Sequence, residues 1–62
     1  MDSSTIINKL ESNGWACVRK KGDHWYYRKE GVQRPTCVPH PKKDIPIGTL
    51  KAIARQTGIK FK

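Results

Sequence analysis

The side chain best suited to moving protons at neutral pH is His24, because an imidazole ordinarily titrates near pH ~6.5. It stands inside Arg19-Lys20-Lys21-Gly22-Asp23-His24-Trp25-Tyr26-Tyr27-Arg28, where Arg19, Lys20, Lys21 and Arg28 supply positive charge and three aromatics follow in a row. Such a set has the parts for holding a polyanion and transferring protons on it. The plainer reading makes His24 a polar residue at the exit of a hairpin, and a lone histidine does not choose between the two.

The remaining chemistry-bearing groups are Cys17, Cys37 and His40. No Cys-x-x-Cys pair is present, and the spacing of the two cysteines and two histidines matches no zinc pattern, so no metal or other cofactor is expected. On outer strands of a three-stranded sheet the cysteines would lie roughly 9 to 10 Å apart at ladder spacing. Bridging needs alpha carbons within about 7 Å, so both are expected to be ordinary buried thiols. His40, between two prolines, is expected to stiffen and pack its loop beneath the second helix. Lys42 and Lys43 lie near a helix start, where the dipole gives them nothing, which favours contact with phosphate over a structural role.

The elements that must position these groups can be read in chain order. Asp2, Ser3 and Ser4 offer helix caps, and Ile6, Ile7 and Leu10 then recur at helical spacing until Asn13-Gly14 closes the helix. Trp15 to Lys20 reads as a first strand, Lys21-Gly22-Asp23 as a tight turn, and His24 to Lys29 as a second strand. Alternation puts His24, Tyr26 and Arg28 on one face of that strand, with Trp25, Tyr27 and Lys29 on the other. Both faces carry aromatics, so alternation leaves open which one is wet. Trp15 is expected in the core, and so are most of the other aromatics, although one face of the second strand is also suited to stacking bases.

Arg34 to Val38 makes a short third strand, and Pro35 confines it to the rim of the sheet. Pro39 and Pro41 demand an extended connection. A second helix follows, capped at Asp44 or Ile45 with Pro46 in its first turn, burying Ile47, Leu50, Ile53 and Ala54 and stopping at Gly58. The expectation is a single α+β domain over residues 1–62: an α-β-β-β-α order, with a three-stranded antiparallel sheet and both helices on one face.

Thirteen Lys and Arg against five acids give a net charge of +8 and a pI near 9.9, so the expected partner is a polyanion, first nucleic acid and then an acidic protein. The apolar fraction of 35% is low, and a chain of 62 residues builds only a thin core. Nothing is long or apolar enough to cross a membrane, and the basic-then-apolar order of a signal peptide is missing, which makes the cytoplasm the expected compartment and no membrane the expected partner.

Gly14-Trp15, the turn Lys21-Gly22-Asp23-His24, the run Val38-Pro39-His40-Pro41 and the helix start Ile45-Pro46-Ile47-Gly48-Thr49-Leu50-Lys51 together resemble the HicA family of bacterial toxins. The resemblance keeps these motifs in order over nearly the whole chain. It implies a fold like that of double-stranded-RNA-binding domains, and a ribonuclease that cleaves messenger RNA until a HicB-like antitoxin covers it. It also implies that His24 is the catalytic residue. One departure stands beside it: the family often has Ser where this chain has Asp23, and an acid there repels phosphate, so substrate approach or the pH optimum is expected to differ.

A metal-free ribonuclease needs little more than one such histidine, because RNA brings its own nucleophile, the 2'-hydroxyl. Lys20, Lys21 and Arg28 are then candidates for steadying charge on the phosphorane, with Gly22, Lys42 and Lys43 as further RNA contacts. The rival from another class is a double-stranded-RNA-binding module that cleaves nothing. Its weakness is that the lysines are scattered over the turn and the Pro-rich connection instead of gathering at the start of the second helix. A third reading is a pure interaction protein whose basic face meets an acidic partner. The free protein is expected to be a monomer.

Overall fold

The computed structural model describes residues 1–61; Lys62, the last residue of the domain expected over 1–62, lies outside them. The element order is α1 (Ser3–Ser12), β1 (Ala16–Lys21), β2 (His24–Arg28), β3 (Thr36–Pro39) and α2 (Ile47–Thr57). The strands form one antiparallel sheet in the order β1-β2-β3, so the strand that begins at His24 is central. The α+β architecture expected from the pattern is the one observed.

Each helix starts and stops for a local reason. Asp2 is the N-cap of α1, its carboxylate accepting from the Thr5 amide and lying below its usual range because of that bond. Gly14 follows the helix at φ 90° and turns the chain towards β1. Helix α2 closes on Gly58 at φ 74°. At its start the N-cap is Pro46 itself, not Asp44 or Ile45, and no side chain caps the helix. The fixed φ of proline suits that entry, and its missing N–H forfeits nothing there.

The core is built by Ile6, Ile7 and Leu10 from α1, Ile53 from α2, Tyr27 and Val38 from the sheet, and Trp15, Ile45 and Phe61 from the connections. Ile47, expected among the buried residues of α2, is 61% exposed. At 3.6 residues per turn it lies roughly 120° round the axis from Ile53, so the face that buries Ile53 turns Ile47 outward. Thr36 is buried beside the core, where its hydroxyl bonds the Gln56 side chain at 2.8 Å and ties β3 to α2.

The cysteines also differ from expectation. Cys17 is exposed and Cys37 is half-buried. Only one face of this sheet is covered by helices, and Cys37 pairs with Tyr26 on the other. In β1 the register slips between Cys17 and Arg19, so that Val18 is an extra residue, a bulge at the edge of the sheet.

Candidate nucleic-acid interface

Pairing and alternation together decide which face of β2 is wet. Trp25 pairs with the fully buried Val38 and Tyr27 with Thr36, so the Trp25 and Tyr27 face is the one the helices cover. His24, Tyr26 and Arg28 therefore project from the open face. Arg19 pairs with Tyr26 and Lys21 with His24, which brings both cations onto the same side. None of the residues in the three strands is acidic.

His24 is the first residue of β2, exposed, and flanked by Lys21 on one side and Pro39 on the other. The two-residue turn before it has Gly22 at φ 59° and Asp23 at negative φ, the sign pattern of the type II′ hairpin turn, whose twist suits adjoining strands. A second segment fixes this turn from behind. The His40 amide donates to the Asp23 carbonyl at 2.8 Å, and the loop that follows is tied to the start of α1. There the Ser3 amide donates to the Lys42 carbonyl, the Lys42 amide donates to the Ser3 hydroxyl, and that hydroxyl shares a 2.7 Å hydrogen bond with His40 Nδ1. His40 thus packs its loop beneath α1, not beneath α2, with its ring edge-on to Trp25 at a centroid distance of 4.3 Å.

The other expected contact residues divide between locations. Lys20 is not beside His24: alternation turns it to the opposite face, where its ammonium lies 4.0 Å from the centroid of the Trp25 ring. Lys21, Gly22 and Arg28 are exposed on or next to the open face, with Lys21 directly opposite His24 and Arg28 at the far end of β2. Lys42 and Lys43 expose their side chains in the loop after β3, at the His24 end of the sheet. Arg19 belongs to the face although the sequence reading assigned it no separate role; its two-residue spacing from Lys21 was the signal. Its guanidinium lies 5.8 Å from the centroid of the Tyr26 ring.

Burial pushes the Cys37 thiol up, which keeps it neutral beside Tyr26. A cleft lined by Lys9, Asn13, Trp15, Lys29 and Lys60 lies at the opposite end of β2 from His24. The arrangement around His24 is instead an open surface, a form that admits a polymer. Among the described residues no three His, Cys, Asp or Glu side chains gather as metal ligands, and no helix is long and apolar enough to cross a membrane.

A family model for the HicA toxin of bacterial toxin–antitoxin systems matches residues 3–59. No curated protein is matched.

Proposed function

Since residues 3–59 place the chain in the HicA family, toxins of bacterial toxin–antitoxin systems, we propose that it acts as an endoribonuclease on messenger RNA with His24 as its general acid and base. The observation that carries this reading is the position of His24: exposed, on a turn held from behind, at the end of a sheet face whose strands bear Arg19, Lys21 and Arg28 and no acid, with Asp23 of the turn as the neighbouring carboxylate.

The chemistry follows from what RNA already contains. The imidazole takes the proton of a 2'-hydroxyl, the 2'-oxygen attacks the adjacent phosphorus, and the bond from phosphorus to the 5'-oxygen breaks. The imidazolium returns the proton to that leaving oxygen. The upstream fragment ends in a cyclic phosphate and the downstream one in a 5'-hydroxyl, with no metal taking part. Positioned proton transfer of this kind contributes roughly 10²- to 10⁴-fold. Lys21, opposite His24, steadies the charge on the phosphorane; Arg28, Lys42 and Lys43 hold the backbone on either side. Lys20, turned towards Trp25, is left out of this set.

The family implies a cognate antitoxin. On this reading the free toxin is a monomer in the cytoplasm, and the antitoxin silences it by covering His24.

The test is cleavage of a long single-stranded RNA by the purified protein in EDTA, beside His24→Ala. The substitution removes an exposed side chain, so circular dichroism should show the same fold. Cutting by the parent and loss of at least about a hundredfold in the variant is the expected result. Equal cutting by both would remove His24 from the mechanism. Binding without cutting by either would leave a non-catalytic RNA-binding module, and a 5'-phosphate on the product would refute the cyclic-phosphate route.

A further inference from the structure

The open face of the sheet carries a feature that proton transfer at His24 does not use. Tyr26 sits at its centre, on the middle strand, paired with Arg19 of β1 and Cys37 of β3, half-buried and with the Arg19 guanidinium 5.8 Å from its ring centroid. An aromatic ring that packs no core and faces outward among cations is a stacking surface with phosphate contacts around it. Along β2 the same face reads His24, Tyr26, Arg28, at intervals of about 6.6 to 6.8 Å. An extended, unstacked polynucleotide advances by a comparable distance per nucleotide.

We infer that this face is a track for single-stranded RNA, with Tyr26 the platform for the nucleobase next to the phosphate that reacts at His24. The placement of the reacting phosphate rests on the ribonuclease reading; the track does not. Charge complementarity favours a polyanion, because the strands offer Arg19, Lys21 and Arg28 and no acid, and the thiol next to Tyr26 is neutral. The ring favours an unpaired nucleic acid over an acidic protein, since every base has a π-face and a duplex hides its own between neighbours. Arg19 has two functions in this arrangement: it lies against the Tyr26 ring and supplies charge for the backbone.

The test separates binding from cutting. Fluorescence anisotropy with the His24→Ala protein, which cannot cleave on the proposed mechanism, is measured against a labelled single-stranded RNA, the same strand annealed to its complement, and a strand in which the bases are replaced by abasic sugars. The single strand should bind more tightly than the duplex. Adding Tyr26→Ala should weaken it about tenfold, and Tyr26→Phe should leave it within about twofold, as expected for stacking. Abasic RNA should bind more weakly than the intact strand and respond little to Tyr26→Ala; this arm needs the parent ring and so survives a variant that fails to fold.

Equal binding of intact and abasic strands, duplex binding as tight as single-strand binding, or an inert Tyr26→Ala would each overturn the track. If Tyr26→Ala leaves RNA unaffected and weakens the antitoxin instead, the face belongs to the partner. A parent protein that cuts nothing while Tyr26-dependent binding persists would defeat the ribonuclease reading and leave the track standing.

Discussion

At the scale of single residues, two neighbours on β2 show how one strand separates burial from exposure. Tyr26 looks out and Tyr27 looks in, 1% exposed against the core. Burial pushes the Tyr27 phenol up to about 12, with Cys17 and Glu11 beside it adding to the effect. The unfolded chain releases this proton near pH 10 and the folded chain only near 12, so the folded state binds more protons in between. Stability should therefore fall as pH rises from about 10 to about 12, and Tyr27→Phe should flatten that fall. Urea midpoints of both proteins at pH 8, 10 and 11 measure this; parallel losses in the two would assign the alkaline decline to other groups. His24 stands in the opposite setting, on an exposed turn, where substitution should alter chemistry and leave the midpoint nearly unchanged.

At the scale of elements, the turn that presents His24 is only as firm as the loop behind it. That loop is joined to α1 through Ser3, which is 1% exposed and whose hydroxyl meets both the Lys42 amide and His40 Nδ1. Ser3→Ala would leave both partners short of a hydrogen bond in a place water reaches poorly, at a cost of about 1 to 3 kcal/mol. The expected result is a lower urea midpoint together with faster amide exchange at His40, because the hydrogen bond that the His40 amide donates to the Asp23 carbonyl depends on the loop staying docked. A variant as stable as the parent would show that the two backbone hydrogen bonds between the N-terminal residues and this loop, from the Ser3 amide to the Lys42 carbonyl and from the Ile45 amide to the Met1 carbonyl, suffice. Residue periodicity had already given both helices and the hairpin, since caps, stripes and turns are short-range features. The start of β3 at Thr36 instead of Arg34 follows from pairing with Tyr27, a contact that lies outside the segment.

At the scale of the whole molecule, a net charge of +8 on 62 residues sets how every partner is met. Association with an anionic partner should be fast at low salt and weaken as salt screens the face. For the antitoxin the expectation is a complex that masks His24: RNA cleavage falls to background when antitoxin is added in equal amount, and returns in part as sodium chloride is raised. A complex that forms and leaves cleavage intact would place the antitoxin elsewhere on the surface. The same small size limits stability to the low end of the usual range, of order 5 kcal/mol, so a loss such as that of Ser3→Ala takes a large share of it.

What the sequence determined by itself was what neighbouring residues settle: the α-β-β-β-α order, the glycines that end the helices, the tight turn before His24, and the division of β2 into two alternating faces; it offered Asp2, Ser3 and Ser4 as caps, and the structure uses Asp2. Which of those faces is wet was decided only by tertiary structure, because alternation is symmetric and the choice depends on where α1 and α2 lie. The hairpin register put Lys20 with Trp25, Lys21 with His24 and Arg19 with Tyr26, and the placing of the helices then left Tyr26 half-buried on the open face while burying Tyr27. The bulge at Val18 and the docking of His40 on Ser3 belong to the same class: they join residues on different elements, and local pattern carries no record of such contacts.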